Sequence, residues 1–340
     1  QAQGYDDYMN FYNISRANKY TFLDPVSRHR FHVGLCQSLR LLKYMYASNY
    51  LKYVQAVIIT LLFAAGCTSQ NSEEQIAFVT DRDGNSEIYL MNTDGTNLVN
   101  LTNNPAHDLE PSWSPDGQQI AFRTGRTNPW SIMIHNLTDS TSRILTGQDP
   151  FDDFAPDWSP DGQQIAFQSF RDGNWDIYVI DTDGNNSRRL THDLDLDYQP
   201  MWSSDGLQIA FDRYLNGYWE IFIMDTNGEN KWNFSRNRAN DGSVDWSPDG
   251  TQMLFTSDRE GNYDVYRANL DGGELVNLTM HPAGDVDAKW SLDGSAVFFV
   301  SDRDGNAEIY SMNSDGTGVK RLTFNEWDDS RPVPRPHTKN

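Results

Sequence analysis

Six aspartates recur at one position of an internal repeat, five residues before a tryptophan or the residue aligned with it. Placed on loops around one mouth of a central channel, six carboxylates could attract a divalent cation such as calcium, or a Lys or Arg side chain of a partner. Alternatively, each aspartate accepts backbone hydrogen bonds within its own loop. These channel-mouth binding candidates are Asp108, Asp153, Asp197, Asp241, Asp285 and Asp329.

Arginine recurs in the same way, six residues after the start of an IAF-type motif, in five of the six repeats. Leu215 takes its place in the fourth repeat. Four repeats carry an acidic residue just across the predicted hairpin, at Glu87, Asp176, Asp264 and Glu308. We therefore expect structural cross-strand ion pairs. The arginines concerned are Arg82, Arg126, Arg171, Arg259 and Arg303.

Three tryptophans open the third predicted strand of consecutive repeats: Trp130, Trp175 and Trp219. They are candidates for an exposed aromatic patch, and packing between strands is the alternative.

The sequence gives little indication of a metal site or of a catalytic site. His107, His192 and His281 fall in loops between repeats, but their offsets from the tryptophan position differ, which argues against convergence on one metal ion. There is no GxSxG nucleophile motif in the sequence. We assign no catalytic residue and leave the metal unknown.

The elements that must position these residues follow from the repeat itself. IAF or a variant begins at steps of 44 or 45 residues, and WSPDG or a near variant follows with the same spacing in five copies. Each unit is predicted to hold four short strands, because Pro and Asp-Gly turns separate four apolar segments. Four strands in a repeat of this length are typical of a β-propeller. The IAF-type motifs begin at Ile76, Ile120, Ile165, Ile209, Met253 and Val297.

The missing sixth tryptophan motif predicts how the ring closes. One further step from Trp290 reaches Pro334, and the preceding segment aligns with the strands that end at Trp113 and Trp202. The C-terminal segment should therefore supply the inner strand of the first blade and remove the open edges of the array. The fold class is all-β, a six-bladed β-propeller closed by the C-terminal strand.

The pattern IAFxSDRDGNxEIYxMNxDGxxxxxLT followed by PxWSPDG resembles the WD40-like (PD40) repeat of the TolB-like β-propeller family, over residues 76–336. The resemblance implies a six-bladed propeller. For function it implies less, because the family includes protein-interaction modules, accessory domains of peptidases and a few lyases.

The segment before the propeller has the plan of a bacterial lipoprotein leader. Residues 45–66 are predicted to be a signal peptide, since Lys52 precedes an apolar run of about 14 residues, shorter than a spanning helix. Ala64, Ala65, Gly66 and Cys67 resemble the lipobox, which implies lipidation of Cys67. An ordinary signal peptide and a buried leader-like helix are the alternatives. Residues 67–75 are then a linker, residues 1–44 an upstream extension outside the fold, and residues 337–340 a tail.

The net charge of the chain limits the classes of molecule that it can bind. The formal net charge of the chain is -21, and the excess is acidic after residue 66, so phosphate backbones are repelled and nucleic acid is an improbable partner. We predict a monomeric, non-enzymatic lipoprotein of the cell envelope. It would lie at the periplasmic face of the outer membrane if the cell is Gram-negative, and would otherwise be secreted and membrane-tethered. In either case it would touch the membrane only through its lipid anchor and bind an envelope protein or peptide. The alternative is a propeller lyase or hydrolase acting on a saccharide at the channel mouth.

Overall fold

The protein is described by a computed structural model that covers residues 74–147, 150–271 and 273–336. Every regular element in these residues is a strand, and the 24 strands form six four-stranded antiparallel sheets. The all-β fold class and the six blades are confirmed. Cys67, the predicted leader at 45–66, the extension at 1–44 and the tail at 337–340 lie outside the described residues. No helix in the described part is long and apolar enough to cross a membrane.

The blades follow one another along the chain, and the four strands of each blade are ordered from the channel outward. Blade one consists of β24 (Asp329–Pro334), β1 (Gln75–Thr80), β2 (Glu87–Asn92) and β3 (Val99–Asn100). Blade two consists of β4 (Asp108–Trp113), β5 (Gln119–Thr124), β6 (Ser131–Asn136) and β7 (Thr141–Ile144). Blade three consists of β8 (Asp153–Trp158), β9 (Gln164–Ser169), β10 (Asp176–Asp181) and β11 (Arg188–Arg189).

The remaining three blades repeat the plan. Blade four consists of β12 (Leu196–Trp202), β13 (Gln208–Leu215), β14 (Tyr218–Asp225) and β15 (Trp232–Asn233). Blade five consists of β16 (Asp241–Trp246), β17 (Gln252–Ser257), β18 (Asp264–Asn269) and β19 (Val276–Asn277). Blade six consists of β20 (Asp285–Trp290), β21 (Ala296–Ser301), β22 (Glu308–Asn313) and β23 (Lys320–Arg321).

The turn between the first two strands of a blade shows why the SPDG sequence recurs. In blade two the Ser114 hydroxyl donates to Asp116 at 2.6 Å, and the Gly117 amide donates to the Ser114 carbonyl at 2.8 Å. Gly117 has a φ of 64°, which favours glycine because a Cβ costs energy there. Each such turn fixes the register of the inner hairpin.

The core lies between the blades. The IAF-type strands are buried on both faces, and the motif tryptophan of one blade packs on the strands of the blade before it. Trp158 of blade three, for example, belongs to a cluster with Ile132 and Ile134 of blade two. The repeated apolar residues therefore join neighbouring blades to each other rather than filling one central core.

The chain end closes the ring as predicted. β24 pairs antiparallel with β1, opposing Val333 to Ala77, and the Arg335 amide donates to the Gln75 carbonyl at 2.7 Å. The Trp113 indole also donates to the Val333 carbonyl at 3.1 Å, which ties blade two to the closing strand.

Candidate functional site

The six repeated aspartates do not form an open ring of carboxylates. All six side chains are fully buried, and each forms an ion pair of 2.5–3.1 Å with an arginine. The expectation of free channel-mouth ligands is thus wrong for these residues, because their charge is already neutralised inside the blades. The residues are Asp108, Asp153, Asp197, Asp241, Asp285 and Asp329.

The partners are the repeated arginines, and this also corrects the predicted cross-hairpin pairs. Arg303 reaches Asp285 at 2.9 Å and lies over the ring of Tyr310 at 4.9 Å, so the guanidinium is held between aromatic and carboxylate groups. The acidic residue across the hairpin has another partner: Glu308 pairs with Arg321 at 2.8 Å. Asp285 and Glu308 lie opposite Ser301 on its two neighbouring strands, and a different arginine neutralises each of them.

Blade four shows that the pair is kept in every repeat. Leu215 stands where arginine is expected, yet Arg213, two residues earlier, donates to both oxygens of Asp197 at 2.7 and 2.8 Å. The β13–β14 hairpin is two rungs longer than the others, ending in a Leu215–Tyr218 pair. Each of the six blades therefore has an arginine to neutralise its aspartate.

Burial acts against the charged form of these aspartates. Loss of water raises the pKa of Asp108 above its ordinary value, although Thr124 and Arg126 both donate hydrogen bonds to the carboxylate. The same balance raises the pKa of Asp285. A carboxylate in this environment is a structural element with little capacity for another ligand.

The channel is instead lined by residues two and four positions further along each inner strand. Each inner strand has a β-bulge, and the residue there has a φ between 47° and 57°. We call these residues the bulge layer: Glu110, Ala155, Gln199, Ser243, Asp287 and Arg331. The second ring, called the inner layer, is Ser112, Asp157, Met201, Asp245, Lys289 and Val333. Together they line a cavity of about 320 Å³.

Charge in the bulge layer is concentrated on one side. Glu110 lies between two guanidinium groups, with Arg123 at 3.5 Å and Arg331 at 3.8 Å. Arg331 also faces Asp287 at 3.9 Å. The carboxylates also accept hydrogen bonds of 2.8 Å, Glu110 from the Ala155 amide and Asp287 from the Ser243 hydroxyl, so this side of the layer is a network of charged and polar groups.

Backbone amides hold the inner-layer carboxylates. Asp157 accepts from the Trp202 amide at 2.7 Å and from the Ser112 hydroxyl at 3.2 Å. Asp245 accepts from the Trp290 amide at 2.8 Å and pairs with Lys289 at 3.2 Å. Burial raises the pKa of Asp157 to about 6, with the nearby charges of Lys289 and Asp245 acting in opposite directions. Each carboxylate thus links one blade to the next.

The three candidate tryptophans differ in their exposure to solvent. Trp219 is only 3% exposed, so it is not part of an exposed patch. Trp130 and Trp175 are partly buried at the same face of the propeller, where Phe154 lies between them. Arg123 is packed over both Trp130 and Phe154, at 4.7 and 4.4 Å.

Two of the loop histidines accept hydrogen bonds from backbone amides. His107 accepts from the Ser86 amide at 3.0 Å and His281 accepts from the Ala283 amide at 3.1 Å, each through Nδ1. Among the described residues, no group of three or more His, Cys, Asp or Glu side chains is placed to hold a metal ion. A divalent cation at the channel mouth stays a prediction, and its ligands would have to be other than the six buried aspartates.

The sequence marks Glu110 and Asp287 only as additional charge, and the two layers as such are not evident from it. The sequence signal that could have identified the channel positions is their variation. They carry a different residue in nearly every repeat, whereas the positions of the buried aspartates are constant. A bulge also breaks the alternation of inward and outward side chains, which hides these positions from a strand pattern.

Comparison with known proteins relates this architecture to a family. A family model described as the TolB beta propeller domain matches residues 69–149 and 127–217. The Tol-Pal system protein TolB of Desulfosudis oleivorans is 39% identical over 67 residues, which are 20% of this chain and 15% of that protein. The matched stretch is thus less than a fifth of the length of that curated relative.

Among solved structures, TolB from Acinetobacter baumannii superposes with a TM-score of 0.70 at 21% identity, covering 84% of this chain and 73% of that one. Oligogalacturonate lyase from Vibrio parahaemolyticus superposes with a TM-score of 0.53 at 16% identity, covering 75% and 76%. At these identities the likeness concerns the fold.

Proposed function

Since the chain belongs to the TolB-like β-propeller family, we propose that it is a non-enzymatic protein-interaction module of the bacterial cell envelope. The binding site is the channel mouth formed by the bulge layer, and the ligand is a segment of an envelope protein or a peptide. The relatives are named as components of a Tol-Pal system, which supports an envelope partner.

One observation carries the proposal: the channel positions vary from blade to blade on a scaffold that otherwise repeats. The fold requires a bulge in each inner strand, but it does not require a particular side chain there. Alanine, serine, glutamine, aspartate, glutamate and arginine all occupy the bulge. Such a ring presents a mixed pattern of charge, hydrogen-bonding groups and small side chains, which suits recognition of an irregular polypeptide.

The charges at the mouth indicate how a segment would be held. Arg123 and Arg331 lie 3.5 and 3.8 Å from Glu110, so two positive groups and one negative group line this side of the mouth. A carboxylate or backbone carbonyl of the partner can bind the guanidinium groups, and an amide can donate to Glu110.

The enzymatic alternative receives less support. The lyase neighbour shares the fold at 16% identity, and the described channel carboxylates Asp157 and Asp245 are bound to backbone amides of the next blade. These contacts suit a rigid binding surface better than groups that exchange protons during turnover.

Attachment to the membrane through a lipid on Cys67 completes the proposal. It is supported by the lipobox-like sequence and by the polar residues that follow it. The tether would place the propeller within reach of envelope partners.

Site-specific crosslinking tests the proposed site. A photoreactive amino acid at Gln199, in the bulge layer, should crosslink a discrete partner in envelope extracts of the native cells. The matched control is the same amino acid at Val99, which is exposed on the outermost strand of blade one. Identical products from the two positions, or none from Gln199 in a folded protein, would contradict a channel-mouth site.

A further inference from the structure

A continuous row of aromatic side chains crosses blades three and four on the face that carries the loops between blades. Each ring has its centroid 5.0–5.5 Å from that of a neighbouring ring. We call it the aromatic ridge, and its members are Phe154, Phe170, Trp175, Tyr198, Tyr214 and Trp219.

The fold does not require this ridge. The positions equivalent to Trp175 are Ser86 in blade one and Ala307 in blade six. The positions equivalent to Tyr198 are Val286 in blade six and Ser330 in blade one. Those blades have the same four strands and the same buried Asp–Arg pair. The fold can therefore form without aromatic residues at these two positions.

Exposed apolar side chains lie on the ridge and beside it. Phe170 is 39% exposed and packs on Trp175, while Tyr218 is 37% exposed at the tip of the extended β13–β14 hairpin. Leu194 is 97% exposed, on a loop that Asn174 ties to the Trp175 hairpin through two hydrogen bonds. Apolar side chains held this far out of the protein by ordered hairpins are typical of an interaction surface.

The ridge lies in a strongly acidic setting. Three guanidinium groups, those of Arg171, Arg189 and Arg213, are paired with carboxylates there. A fourth guanidinium, that of Arg123, packs over the ridge residue Phe154, so the carboxylates outnumber the guanidinium groups by three. The exposed carboxylates flank Leu194 and Phe170. The seven carboxylates belong to Asp152, Asp153, Asp172, Asp176, Asp193, Asp195 and Asp197.

From this combination we propose that the aromatic ridge is a second docking surface, separate from the channel, for a polypeptide segment that alternates basic and aliphatic residues. The aliphatic side chains pack on Phe170, Leu194 and Tyr218, and the basic side chains pair with the exposed carboxylates of Asp172, Asp193 and Asp195. Complementary charge fixes the sign of the partner, since the excess of carboxylates would repel an acidic segment.

A saccharide is a poorer fit to the same surface. Sugar rings stack on a free aromatic face, but three rings already pack within 5.5 Å of Trp175. The most exposed side chain of the surface is the aliphatic Leu194, which matches an apolar side chain of a polypeptide.

Binding of defined peptides by the full-length protein tests the proposal. The probe is a synthetic peptide of alternating lysine and leucine, followed by calorimetry and by tryptophan fluorescence. Phe170→Ser combined with Leu194→Ser should weaken its binding about tenfold. The matched control is Met280→Ser with Phe324→Ser, two exposed apolar residues on loops between other blades, which should leave the affinity unchanged.

The charge contribution is tested separately. Asp193→Asn with Asp195→Asn should weaken the lysine-leucine peptide and reduce the salt dependence of binding. A glutamate-leucine peptide should not bind the native protein. The proposal is overturned if both apolar pairs of substitutions have equal effects, if the acidic peptide binds equally well, or if the ridge substitutions change only self-association of the protein. Failure of these tests leaves crosslinking at Gln199 unaffected, so the two sites are judged independently.

Discussion

Replacing Asp285 by asparagine should destabilise the propeller by about 3 kcal/mol, the lower end of the usual cost of breaking a buried ion pair. Asp285 is fully buried and accepts hydrogen bonds of 2.9 and 3.0 Å from Arg303. The substitution removes the charge and leaves Arg303 enclosed without its counter-ion. The cost lies at the low end because the Arg303 side chain is 15% exposed and can recover some hydration.

Urea denaturation followed by tryptophan fluorescence measures this change as a shift in midpoint. Asp183→Asn, in an exposed turn where asparagine is equally suitable, is the matched control and should alter stability by less than about 0.5 kcal/mol. Asp285→Asn with Arg303→Met should recover part of the loss, because no unpaired charge remains.

The triple replacement of Asp108, Asp197 and Asp285 by asparagine extends the argument. At about 3 kcal/mol each, the loss approaches a typical total stability of about 5 to 15 kcal/mol, so this variant should fail to fold. A folded triple variant with native-like melting would refute the structural role of these pairs and make the aspartates available again as ligands.

Three further outcomes are expected. Burial raises the pKa of Asp157 to about 6 in the folded protein, so protonation of this carboxylate favours the native state. As the pH falls from about 7 to 4, the stability of the wild-type protein should therefore gain about 1 to 2 kcal/mol relative to that of Asp157→Asn. Urea titrations at both pH values that show no relative gain would contradict this. Deleting residues 329–340 removes β24 and exposes the edge of β1, so thermal unfolding should shift strongly downward or the protein should not fold; an unchanged midpoint would show that the ring closes otherwise. Cys67→Ala should move the protein from the membrane fraction to a soluble or unprocessed form, and unchanged detergent-dependent fractionation would exclude the lipid anchor.

The fold could be predicted from the sequence because a propeller encodes itself repeatedly. Six copies of one motif fix the blade number, and the alignment of Pro334 with the tryptophan position predicts the closing strand that β24 supplies. Local turn chemistry and buried apolar strands act in the same direction in every repeat, so an irregular copy is recognised by comparison with the others.

The site could be predicted only in part, because its contacts are not local. Asp285 and Arg303 are 18 residues apart and meet only when the blade forms, so the sequence suggested the nearer Glu308 as the partner. Arg213 takes its role because it lies directly opposite Asp197 on the neighbouring strand, where the other five blades have serine or threonine. Residues that recur in every repeat mark the positions that the fold requires. The channel layers and the aromatic ridge are recognised because their residues differ from one repeat to the next.

The most direct test of the central claim uses Arg331, which lies 3.8 Å from Glu110 and 3.9 Å from Asp287 in the bulge layer. The partner captured by crosslinking at Gln199 is titrated calorimetrically into the wild-type protein and into Arg331→Gln. Recognition by the variable channel residues predicts about tenfold weaker binding to the variant, with the variant still folded at the temperature of the titration. Equal affinity for the two proteins would contradict the channel-mouth site.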